Sequence, residues 1–218
     1  MKAKPVNDQV RVRRAHKRGQ YDRETMNAVL DAGLVADIGF IEQAKPVVTP
    51  MTYWRHADYV YWHGSTASRM MKATAGRDVC FTVTLLDGLV LAQSAFHHSA
   101  NYRSVMLFGI AEQVRGTAAK TKALEAFFDK LFAGRWQTLR SMTGQEMKAT
   151  SILRLKIDQG AAKIRTGPPI EAKGDLPGKV WSGVLDFDHS IRQAQPSADN
   201  IEGLELPEHV KRLVGKPR

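Results

Sequence analysis

The residues most suited to chemistry lie in Trp62-His-Gly-Ser-Thr-Ala-Ser-Arg-Met-Met-Lys72. An aromatic, strand-like run ends at His63, Gly64 permits close backbone approach, and Ser65 stands where a helix can begin. Free N–H groups at a helix start attract anions, and the hydroxyls of Ser65 and Ser68 can add donors. Arg69 offers a forked cation and Lys72 a second charge one turn on. The spacing predicts a helix over 66–76, capped by Ser65 and cradling a phosphate, although a plain capped surface helix would read the same way.

Two other segments carry polar potential. Pro50 interrupts the strand-like Val-Val-Thr-Pro-Met-Thr-Tyr. Proline cannot donate to a ladder, so this strand is an edge or locally unpaired. The backbone of Thr49, Met51 and Thr52 is then free for the donor and acceptor edge of a planar heterocycle, or simply for solvent. Ser94 to Val105 gathers His97, His98, Asn101, Tyr102 and Arg103. Adjacent histidines on a strand point to opposite faces, so they do not form a metal pair, and no zinc-type spacing occurs. Phosphate-loop, dinucleotide-fold and serine-hydrolase signatures are also absent.

The elements that must hold these residues read mostly as strands. Leu34–Glu42, Pro46–Trp54, Tyr59–His63, Val79–Leu86, Tyr102–Val114, Ser151–Asp158, Ala161–Thr166 and Val180–Leu185 are short and closely spaced. Val79, Phe81, Val83 and Leu85 alternate cleanly. So many antiparallel strands with alternate burial predict a barrel. Helices are expected at 21–32, capped by Asp22 and stopped by Gly33, and at 118–132, with Leu124, Phe127, Phe128 and Leu131 on one face. Pro168-Pro169 and Pro177-Gly178 bracket a surface loop.

The chain has 218 residues, 25% of them charged and 43% apolar, enough for a real core without staples. No membrane span or secretory signal is expected, and the lone Cys80 suits a reducing cytoplasm. Net charge is +10, of which residues 1–23 hold eight Lys/Arg against two Asp. Such an arm could meet nucleic acid or anionic lipid, but no aromatic interleaves its charges before Tyr21, so no base-stacking surface is encoded. It reads as a solvated segment that is dispensable for ligand binding. The expected organisation is a basic arm at 1–20, one domain at 21–190 and a polar tail at 191–218.

Taken together, YDRETM, TPMTYW, HGSTASRMMK, VTLLDGLVLAQSAFHHSANYRSVMLFG, MKATSILRLKI and AAKIRTGPP resemble the FMN-binding split β-barrel family related to pyridoxamine 5′-phosphate oxidase, in its nitroimidazole-resistance-like branch. The resemblance spans about residues 11–185. It implies a mainly β fold with flanking helices and FMN held at a homodimer interface. Thr49, Pro50, Met51, Thr52 and Tyr53 would lie along the ring and ribityl chain. His63, Gly64, Ser65, Ser68, Arg69 and Lys72 would hold the phosphate. Asn101, Tyr102, Arg103 and Ser104 would approach from the partner, and Trp181 would approach the ring, unless it is a core aromatic.

The implied activity is flavin-dependent redox chemistry on a small molecule, with His98, Tyr102 and Arg103 shaping the substrate face. Reduction of nitroaromatics such as nitroimidazoles is one alternative, and a flavin carrier without turnover is another. The oxidase's C-terminal Arg-x-His element is missing from SGVLDFDHSIRQ, so pyridoxamine phosphate oxidation is not expected. The family also includes haem-degrading and deazaflavin-using members, so fold alone does not fix the chemistry.

Overall fold

A computed structural model describes residues 3–175 and 179–215. The Pro177-Gly178 end of the expected loop falls outside them. Strand β1 (Gly19–Gln20) and helix α1 (Arg23–Ala32) open the fold. The Asp22 carboxylate accepts the Thr25 N–H at 2.7 Å, the cap expected from the sequence. Met26, Val29 and Leu30 bury the inner face of α1.

Seven further strands close a ring. Strands β2 (Val35–Glu42), β3 (Lys45–His56) and β4 (Tyr59–Ser65) form the expected meander. After α2 (Arg69–Thr74) come β5 (Asp78–Leu91), β6 (Ser99–Ile110) and β7 (Glu112–Gln113). Strand β5 pairs with both β2 and β6. One residue past β6, β7 crosses to β8 (Thr150–Lys156), which pairs with β4 and completes the barrel. Strands β9 (Gly160–Arg165) and β1 extend the sheet beyond β6, and β10 (Gly183–Asp186) pairs with the far end of β5.

The period-2 pattern places the core as expected. Ala36, Ile38, Phe40, Tyr53, Trp62, Phe81, Val83, Val105 and Leu155 fill the barrel together with α1 and with Met70 and Met71 of α2. Gly33 ends α1 where a Cβ would stand 2.5 Å from the Tyr53 hydroxyl oxygen. Its absence lets that hydroxyl donate to Leu30 O at 2.6 Å, in a fully buried setting.

Helix α3 (Thr117–Leu131) lies outside the barrel and covers a second cluster of Trp54, Tyr61, Leu124 and Ile152, with Phe127 against it. Asp31 ties α1, β3 and α3 together. It accepts Arg55 Nη2 at 2.5 Å and Lys130 Nζ at 3.1 Å. Helix α4 (Gly144–Ala149) was not expected, although Thr143 and Glu146 form a capping box ahead of it.

The basic arm is less free than its charge suggests. Val10 is buried, the Val12 N–H donates to the Tyr21 hydroxyl at 2.9 Å, and Gly19 pairs with Lys163. Deleting residues 1–9 is expected to change stability by less than about 0.5 kcal/mol, as for other surface changes. Deleting 1–19 removes the Val10 contact and a strand rung, and should cost about 1.5 kcal/mol in urea unfolding. Equal midpoints for the two truncations would refute the anchoring. The polar tail also returns to the body: α5 (Glu208–Lys211) lies between the two residues of a bridge, Ile191 and Val214, and His209 packs beside Gly134.

Candidate functional site

Pro50 sits on the half of β3 that has one neighbour only. It lies opposite Asp37 of β2, while β4 pairs with β3 only from Tyr53 onward. The Tyr53 N–H donates to Leu34 O, so hydrogen-bonded pairs alternate from there through Ala36/Met51 and Ile38/Thr49. The backbone groups of Thr49 and Met51 are therefore consumed by β2. This corrects the expectation that both are free: the open edge presents the Pro50 carbonyl and the Thr52 N–H, whereas the Thr52 carbonyl is taken up by the ladder to β4.

The side chains of Val48, Pro50 and Thr52 point outward, and Tyr53 points into the core, where burial pushes its phenol well above the ordinary value. The outer face continues across the sheet in registered rows. One row runs Pro50, Asp37, Thr82, Met106. The next two run Thr84, Ser104, Lys163 and Leu86, Tyr102, Arg165. Val35, Ile41, Val48, Leu86, Met106 and Ile110 are exposed on or beside this face. A single chain thus leaves an apolar sheet surface uncovered.

The expected phosphate segment is partly reorganised. Helix α2 begins at Arg69, not Thr66, and Ser68 is its cap, accepting the Met71 N–H at 3.5 Å. Ser65 instead closes a local turn by accepting the Ala67 N–H at 3.1 Å. A helix of six residues has little macrodipole, so anion attraction here rests on side chains. Arg69 and Lys72 are exposed, and Arg69 reaches Glu42 at 3.2 Å. Gly64 makes room for Met71, which a Cβ would meet at 3.1 Å.

His63 does not join this group. Its ring packs under α3 between Trp54 and Phe127, at 5.8 and 5.1 Å between centroids. Its Nδ1 is buried without a partner, and burial pushes its pKa down, toward the neutral imidazole.

At the start of β6, Asn101 is buried against Arg165 and donates to Gly167 O at 3.2 Å. Arg103 forms a forked pair with Asp87, with Nη2 2.7 Å from Oδ1, which raises its pKa further. Ser104 Oγ donates to Lys163 O at 3.2 Å, and Tyr102 is half-buried. His98 is exposed with Nδ1 3.0 Å from Ser94 O. Trp181 is 62% exposed and lies over Gly183, so it is not a core aromatic.

The structure also adds residues that the sequence did not single out. A groove of about 790 Å³ brings Thr52 and Arg103 together with Leu86, Phe132, His189 and Ile191. His189 is fixed there by a 3.1 Å hydrogen bond between Nε2 and Leu86 O. The only signal in the sequence was the histidine itself, in a segment that matches no motif.

A family model described as pyridoxamine 5′-phosphate oxidase matches residues 22–164. The flavocytochrome Anf3 from Azotobacter vinelandii is 39% identical over 98% of this chain and 100% of its own, with a TM-score of 0.93. An FAD and haem binding protein from Mycobacterium smegmatis is 33% identical over 91% of this chain and 98% of its own, with a TM-score of 0.87. A candidate 5-nitroimidazole antibiotic resistance protein from Bacteroides thetaiotaomicron shares the fold, at 19% identity over 67% of this chain and 86% of its own, with a TM-score of 0.55. No curated protein sequence matches the chain.

Proposed function

The chain belongs to the pyridoxamine 5′-phosphate oxidase family, and from that premise we propose that it binds a flavin nucleotide between two copies of itself and acts as an oxidoreductase on a small molecule. The observation that carries this reading is the open edge at Pro50 and Thr52 beside an uncovered sheet face. Bound flavin supplies hydride and single-electron transfer, and the protein supplies orientation and a dry surface.

The Pro50 carbonyl and the Thr52 N–H are placed to meet the polar edge of the ring. Ser65, Ser68, Arg69 and Lys72 form the phosphate end. From Pro50 to the strand of Asn101–Ser104 is three strand spacings, about 14 Å. A second copy is the economical way to bring both to one ligand, with Trp181 near the ring and His98, Tyr102 and Arg103 around the substrate face. The half-buried thiol of Cys80 suits the reducing cytoplasm. Light scattering is expected to give twice the chain mass. A monomer that holds flavin tightly would reject the shared site.

FMN was the expectation from the resemblance, while similarity to an FAD and haem binding protein favours FAD. Chromatography of the cofactor released by acid decides between them. NAD(P)H consumption with an added acceptor separates an oxidoreductase from a carrier, and nitroaromatic acceptors test the narrower alternative.

A second reading adds haem. Two relatives above 30% identity carry haem or a cytochrome in their names. Among the described residues, His63 Nδ1 and His209 Nε2 are buried ring nitrogens without a partner. A neutral imidazole is what iron takes, and burial favours that state at His63. Haemin titration of His63→Ala and His209→Ala, followed by the Soret band, tests whether either holds the iron.

A further inference from the structure

Arg165, at the end of β9, is the one arginine among the described residues that is fully buried, at 6% exposed. Its Nη1 donates to Asn101 Oδ1 and to Gly167 O, and its Nη2 donates to Pro168 O. Its Nε is buried with no partner. Other arginines of the sheet face carboxylates: Arg55 meets Asp31, Arg103 meets Asp87 and Arg154 meets Glu112. No carboxylate among the described residues pairs with Arg165.

The charges nearby make this less favourable still. Gly19 pairs with Lys163, so the preceding Arg18, half-buried, falls opposite Ile164, one residue from Arg165, and its charge reaches the guanidinium there. Burial and the charge of Arg18 both push the Arg165 guanidinium down from its ordinary pKa. Lys163 stands two residues away on the same face. Neutral carbonyls satisfy hydrogen bonds, but they do not neutralise a buried charge, and an unpaired one costs several kcal/mol. The corner therefore carries positive charge that no described carboxylate offsets.

We infer that Arg165, Arg18 and Lys163 form an anion subsite for a phosphate group of a nucleotide. Two guanidinium forks with a lysine beside them match the several oxygens of a phosphate. The corner lies on the outer face, in the row of Leu86 and Tyr102. Helix α2 lies at the Asp78 end of β5, eight residues away, or about 27 Å. This subsite is therefore separate from the phosphate end formed by Arg69 in the same chain. The assignment rests on the nucleotide-dependent redox reading above. Its phosphate is either that of a flavin bound chiefly by the partner copy or the 2′-phosphate of a nicotinamide donor, the one group that NADPH has and NADH lacks.

The test uses the full chain with Arg165→Lys and Arg18→Gln. The second is a half-buried position that leaves the Arg165 hydrogen bonds in place, and both variants are checked by thermal melts. Inorganic pyrophosphate probes the shared chemistry, FAD against riboflavin probes a flavin source, and NADPH against NADH probes a donor. Pyrophosphate and either FAD or NADPH are expected to bind each variant about ten- to hundredfold more weakly, with riboflavin and NADH within about threefold.

Unchanged affinity for pyrophosphate, FAD and NADPH in folded variants would overturn the subsite while leaving flavin binding intact. If the wild-type chain binds no flavin at all, the parent reading fails, and pyrophosphate alone decides the subsite by the same comparison. Dissociation of a dimer by Arg18→Gln, with every ligand affinity unchanged, would mean that a carboxylate of the second copy neutralises the corner, which also overturns it.

Discussion

Arg69→Ala is expected to weaken FMN or FAD binding about ten- to hundredfold, the loss of one charge-assisted phosphate contact worth about 1.5–3 kcal/mol. Riboflavin lacks the phosphate and should bind as before. Arg69 is exposed and rests on Glu42 at 3.2 Å, so its removal should not disturb the core. Glu42→Gln provides a control of opposite sign, because it frees Arg69 and should leave flavin nucleotide affinity equal or higher. Equal losses for riboflavin and FMN in Arg69→Ala would point to altered folding and not to a phosphate contact.

The largest expected effect on stability is at Asp31. Burial by itself pushes its carboxyl up, but hydrogen bonds and charge from Arg55 and Lys130 outweigh this and hold it below the usual carboxylate value. Asp31→Ala leaves two cations facing each other at the junction of α1, β3 and α3. Breaking a well-buried pair costs about 3–5 kcal/mol, and with Asp31 about a third exposed, about 2–4 kcal/mol is expected at pH 7. The sign with pH follows from the depressed pKa. The stabilisation is fully present above the unfolded carboxylate pKa and is lost as pH falls through the folded value. Urea unfolding of wild type and Asp31→Ala should therefore converge in acid. A constant gap from pH 7 to pH 2 would show that the loss is one of packing and not of charge.

What the sequence could reveal depended on how local the cause was. The barrel strands were legible because burial alternates every second residue, and α1 because Asp22 caps it three residues from its donor. The start of helix α2 was misplaced by three residues because two serines can each close a turn: Ser65 binds Ala67, and Ser68 caps the helix. The edge at Pro50 was legible from proline chemistry. Which backbone groups it leaves open depends on register with β2, a long-range fact that makes Thr49 and Met51 unavailable.

Other features had no local signature. Val10 is one of three valines in a charged arm, buried beside a strand that pairs with residues more than 140 positions away. His189 reaches Leu86 across 103 residues, and Arg165 owes its isolation to Arg18, Asn101 and the loop at 167–168. His63 was grouped with the phosphate segment by adjacency, whereas strand alternation turns it under α3.

The central claim is that this chain binds flavin, and the visible spectrum of the purified protein tests it most directly. The predicted result is flavin absorbance that stays with the protein through gel filtration, either as isolated or after incubation with FMN and FAD. A protein that remains colourless through gel filtration after saturation with both nucleotides would contradict the account.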